Sequence, residues 1–152
     1  MKDKDQKKVK RKDVKKMIFL NNSHELKYQN LTQNARMYEH DLERMSLFYI
    51  ISGNDDLFRK KNYIYDFNEN SIRPECLSSG KVDFSSSSKS LIHIGFNLYN
   101  GYMCENMNLL WLLASLDAAN LILLMNAIHL RFNNKINFCF GTNSTFMRRV
   151  NG

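Results

Sequence analysis

A mainly α-helical fold is what this sequence predicts, with a C-terminal αα-hairpin in its core and a small irregular or two-strand insert. Three observations point there. Apolar residues recur at helical spacing in several segments. Cap-forming Asn, Ser and Asp side chains stand just ahead of those segments. Strand-like alternation gathers in one stretch, 62–85.

The elements follow in order. Ser23 or Asn22 reads as a helix cap, with Glu25 completing an approximate capping box. The helix after it, over about 23–37, turns Leu26, Leu31 and Ala35 inward. Asp41 caps a stronger helix, DLERMSLFYIIS, whose Leu42, Met45, Phe48, Tyr49 and Ile51 form a broad apolar face. Ser52-Gly53-Asn54 ends it, and a short helical turn spans about 55–61. Tyr63–Phe67 and Val82–Phe84 are strand-like, and a long loop between them is held by pairing of short strands.

The serines 85–88 read as a helix N-terminus, where their hydroxyls accept from unpaired amides. Beyond them Leu91, Ile94, Gly95, Leu98 and Tyr102 make one face, opposite Lys89, His93, Asn97 and Asn100. Residues 106–130 are nearly uncharged, and length alone would suit a membrane span. Asp117, Asn120 and Asn126 argue against one, since an Asp at the bilayer centre costs roughly 2.5–3.5 kcal/mol. Asp117 instead caps a second helix, so that 108–116 and 118–132 form the hairpin, and no membrane span is expected.

Charge divides the chain unevenly. The first sixteen residues hold nine Lys/Arg and three Asp, a net of +6 out of +7, which leaves thirteen basic against twelve acidic side chains elsewhere. The pI of about 9.4 is therefore a property of the tail. With only Val9 and Val14 as apolar residues after Met1, segment 1–16 is expected to be disordered. It is a basic arm, an inert tail, or an upstream stretch before a true start at Met17. Domain limits are then 17–132 for the helical domain, with a loosely packed extension over 133–152.

Chemical motifs fail on inspection. Asp66-x-Asn68-x-Asn70 begins like a calcium loop, but Ser71 stands where the loop needs Gly and Leu77 where it needs Glu. Gly80-Lys81 lacks both the earlier Gly and the following hydroxyl of a phosphate loop. His24, His40, His93 and His129 lie in separate segments without ligand spacing. Cys76, Cys104 and Cys139 are too scattered for a disulfide framework or zinc site, and read as free thiols of a reducing cytoplasm. No catalytic residue, cofactor or metal is assigned. Candidate nucleic-acid contacts are Lys7, Lys8, Lys10, Arg11 and Lys12 in the tail, and Arg59, Lys60 and Lys61 beside aromatics.

Four blocks carry a family likeness: Met17–Leu20 with Asn21–Glu25, LFYIISGNDDLF over 47–58, Ser85–Ser88, and FNLYNGY over 96–102. Together they resemble a small bacterial family of uncharacterised proteins catalogued as a domain of unknown function, over roughly 17–132. The resemblance implies a compact, mainly helical cytoplasmic protein, often encoded near mobile genetic elements, and implies no catalytic residues. The Asn-, Lys- and Ile-rich composition fits a low-GC bacterial or phage gene. The leading expectation is a non-enzymatic accessory protein that binds an unknown protein partner, touching nucleic acid only weakly through its tail. A nucleic-acid-binding regulator is the alternative, and a hydrolase built from dispersed His, Asp and Glu comes third.

Overall fold

A computed structural model describes residues 17–132; segments 1–16 and 133–152, the expected tail and extension, lie outside the described residues. Among the described residues, seven helices run in the order α1 (Asn22–Asn34), α2 (Leu42–Gly53), α3 (Asp55–Arg59), α4 (Lys61–Ile64), α5 (Ser86–Asn100), α6 (Leu109–Ala114) and α7 (Ala118–Arg131). A two-strand antiparallel hairpin, β1 (Tyr65–Asp66) and β2 (Ser71–Ile72), and a 3₁₀ turn at Pro74–Leu77 separate α4 from α5.

The chain is organised around α2. Every residue from Ser46 to Ser52 is buried, so α2 is covered on all sides by α1, α5 and α7. The expected one-sided face is corrected accordingly: Leu42 and Met45 are only half-buried, while Leu47 and Ile50 belong to the core. Two polar residues enter this apolar shell because their hydroxyls bond back along the helix. Ser46 Oγ donates to Glu43 O at 2.9 Å, and Ser52 Oγ to Phe48 O at 2.7 Å.

The caps read from sequence are present, with one shift. Asp41, Ser85 and Asp117 accept from Arg44 N, Ser88 N and Asn120 N. For α1 the cap is Asn21, one residue ahead of the expected Asn22 or Ser23, and its side chain accepts from His24 N at 2.9 Å. That register turns His24, Tyr28, Leu31 and Ala35 inward at i, i+4, i+7 and i+11. Leu26, expected inside, is 67% exposed.

The hairpin partner also differs from expectation. β1 pairs with Ser71–Ile72, not with Val82–Phe84. The reason is the turn. Asp66 accepts from the amides of Asn68 and Glu69, and Asn70 takes a left-handed φ of 50°. The Asp-x-Asn-x-Asn spacing that resembled a calcium loop is this tight turn. Phe84 remains in the core without a strand.

The C-terminal helices share the core unequally. α7 runs from Asn120, bonded to Asn54 and Ser87, to Arg131, bonded to Leu98 O. It therefore lies parallel to α5 and antiparallel to α2. Leu123, Leu124 and Ala127 are its buried residues. Gly53 makes the close approach possible: a Cβ there would stand 2.2 Å from Leu123 Cδ1. α6 has no buried residue. Leu112, Leu113 and Leu116 pack only partly on the core, and Ser115 Oγ meets Ser90 Oγ of α5 at 2.6 Å. No helix among the described residues is long and apolar enough to cross a membrane.

Candidate functional site

Helix α6 presents its outer side to solvent. Asn108 caps it, accepting from Leu110 N at 2.9 Å and Trp111 N at 3.4 Å. This cap starts the helix with three large apolar residues facing out: Leu109, Leu110 and Trp111 are 62%, 70% and 72% exposed. The outer side of α7 adds Leu121, Ile122 and Met125, the last two roughly half exposed. A helix normally hides such residues, so two successive helices that display them are informative in a way single exposed leucines are not. By helical spacing alone, Leu121, Leu124, Met125 and Ile128 would share one buried face. α7 instead rests on Leu123, Leu124 and Ala127, which turns Leu121 and Met125 outward.

The charge along this stretch of the chain is one-sided. No Lys or Arg occurs between Lys89 and Arg131. The charged residues of that interval are Glu105 and Asp117, both exposed. The two helices therefore bring apolar side chains and carboxylates to this surface, while the exposed Lys89 stands on the neighbouring α5.

The expected nucleic-acid contacts in the folded part are tied to acids and rings. Lys60 Nζ lies 2.7 Å from Asp56 Oδ1, donates to Asp83 O and stands over the Phe84 ring. Arg59 reaches Asp56 at 3.7 Å, and Lys61 sits 4.6 Å from the Phe58 ring centroid. Burial pushes the Asp56 carboxyl up, but hydrogen bonds from Lys60 and Ser88 outweigh it and hold it below the usual carboxylate range. Arg59 and Lys60 line a cleft shared with Asp55, Asp56 and Asp83. Lys7, Lys8, Lys10, Arg11 and Lys12 lie outside the described residues.

The titratable groups are dispersed. His24 is buried: its Nδ1 accepts from Leu20 N at 3.2 Å and its Nε2 faces Tyr49 O at 3.0 Å. Because Leu20 can only donate, Nε2 carries the proton. Burial lowers the pKa of His24 and, on α5, of His93. Burial raises the Cys76 thiol to about 12, which leaves it protonated and unreactive at neutral pH. Cys104 meets the Tyr102 hydroxyl at 3.5 Å. No cluster of three or more metal-ligating side chains occurs among the described residues.

The pattern of the family of unknown function DUF6075 matches residues 14–141. The chain belongs to that family. The family's span is wider than 17–132 at both ends, beginning within the basic segment and passing beyond α7. No curated protein and no solved structure matches the chain.

Proposed function

We propose that this member of the DUF6075 family is a protein-binding module, and that its contact surface is the outer side of α6 and α7. The observation that supports this reading is the exposure of Leu109, Leu110 and Trp111 on a helix that has no fully buried residue. Trp111 is the only tryptophan of the chain. Tryptophan is the residue type most enriched at interface centres, where one flat side chain gains a large apolar contact for few frozen rotations.

The partner follows from the chemistry of the surface. Apolar side chains at the centre and carboxylates at the margin suit an amphipathic segment with an apolar stripe and basic flanks. A cytoplasmic accessory role in a bacterium or its phage, near mobile elements, rests on the family likeness and the low-GC composition. The nucleic-acid alternative has less support from the folded part, because Lys60 and Arg59 are engaged by Asp56 and share their cleft with Asp55 and Asp83.

The double variant Leu110→Glu with Trp111→Glu should lose at least tenfold of the partner that the wild-type protein captures from a nuclease-treated host extract. An Arg59→Ala, Lys61→Ala variant should capture it as the wild type does. Equal capture by the Glu variant would refute the reading. Loss of capture on nuclease treatment would favour the nucleic-acid alternative.

A further inference from the structure

A polar cleft of about 840 Å³ lies on another part of the surface, where the ends of α1, α5 and α7 meet the start of α2 and the hairpin turn. Its volume falls within the roughly 300–1,000 Å³ of small-molecule pockets. Three arginines from three helix ends converge on it: Arg36 just past α1, Arg44 in the first turn of α2, and Arg131 in the last turn of α7.

Two of these guanidiniums are held by acids and still have donors to spare. Arg44 uses Nε on Asp41 and Nη1 on Ala35 O and Asn70 Oδ1, at 3.5 and 3.4 Å. Arg131 uses Nε on Leu98 O at 2.8 Å and Nη2 on Glu43 Oε1 at 3.2 Å. A guanidinium has five donor hydrogens, so Arg44 Nη2 and Arg131 Nη1 have no bond among these contacts. The carboxylates thus fix the two side chains without exhausting them.

Arg36 makes no ion pair among the described residues. It has a φ of 46°, at the residue just after the α1 cap. The bonds from Arg36 N to Gln33 O and from Met37 N to Thr32 O close a Schellman turn, in which glycine is the low-strain residue. Backbone held in this region by a residue other than glycine tends to mark functional places. Behind the cleft, the Tyr65 hydroxyl is buried and forms no hydrogen bond of ordinary geometry, although Arg44 and Tyr99 lie near enough to act on it.

We propose that this cleft binds a small phosphate-bearing ligand, with Arg36, Arg44 and Arg131 supplying donors to its oxygens. The planar guanidinium fork matches phosphate geometry, and three of them against Asp41 and Glu43 leave the lining with a net positive charge. Tyr38, 79% exposed at the same cleft, offers a ring face to a planar group carried by the ligand.

Calorimetric titration of the full chain with adenosine monophosphate and with inorganic phosphate tests this. Both should bind saturably at one site, the nucleotide more tightly. Arg36→Gly should weaken both at least tenfold without lowering the melting temperature, because glycine suits the φ at that position. Tyr38→Ala should weaken the nucleotide alone. Equal affinity for the two probes would support the oxyanion site and leave Tyr38 out of it. Absence of saturable binding up to about 10 mM of either probe, or unchanged affinity in Arg36→Gly, would overturn the proposal.

Discussion

Leu124→Ala is expected to lower the unfolding free energy by about 2–5 kcal/mol. Leu124 has no exposed surface and stands on the side of α7 that packs along α2 and α5. Removing its branched end deletes apolar contacts and leaves a cavity that backbone elements on both sides keep from collapsing. Folded domains are stable by only about 5–15 kcal/mol, so this single change consumes a large share. Leu121→Ala, three residues earlier and partly exposed, should stay within about 0.5 kcal/mol of the wild type. Urea midpoints of the two variants decide the matter. An unchanged midpoint for Leu124→Ala would mean that the buried side of α7 is wrongly assigned.

Acidification should destabilise the fold through His24. The folded protein holds its imidazole neutral, because Nδ1 must accept from Leu20 N and burial opposes charge. Its folded pKa therefore lies below the ordinary value near 6.5 that the unfolded chain retains. Between the two values the unfolded state binds more protons, so stability falls as pH falls. The contribution is fully present above about pH 6.5 and is lost progressively as pH drops toward the lowered folded value. His93 adds a dependence of the same sign. The urea midpoint of the wild type should drop from pH 7.5 to 5.5, and His24→Gln should flatten that drop. At pH 7.5, His24→Ala should cost about 1–3 kcal/mol, since Leu20 N loses its acceptor; Tyr49 O keeps a bond from Ser52 Oγ at 3.2 Å. A pH dependence in His24→Gln as steep as in the wild type would place the linkage elsewhere.

How far the sequence foretold this fold depended on whether the signal was local. Asp41, Ser85 and Asp117 were readable as caps because a cap is decided within four residues. The faces of α2 and α7 were not, because burial there depends on which neighbours arrive. An all-round buried helix such as α2 has no stripe to read, and α7 is turned toward Leu123 by the room that Gly53 leaves. His24 gave no sign of its burial, since its partners are the amide of Leu20 and the carbonyl of Tyr49 on a different helix. The strand pairing was misplaced because Asp-x-Asn-x-Asn was weighed as a metal loop rather than as a turn.

The candidate surfaces were harder still. Trp111 and its leucines have the composition of a core segment, and an apolar run does not reveal that a six-residue helix stands at the edge of the fold. The cleft of Arg36, Arg44 and Arg131 joins residues up to 95 positions apart, with no spacing to betray it. Arg59, Lys60 and Lys61 stood out in sequence as a basic run; folding sets Asp56 beside two of them.

The central claim is that the outer side of α6 and α7 holds a protein, and cross-linking from inside that surface tests it most directly. A photoreactive benzophenone side chain would replace Trp111 in the full chain, expressed in its host, with a second protein carrying the same group at the exposed Tyr63. On irradiation, position 111 should yield a discrete protein adduct, position 63 should not, and the adduct should disappear when Ile122→Glu is added. Adducts at both positions alike, none at position 111, or attachment of nucleic acid in place of protein would contradict the account.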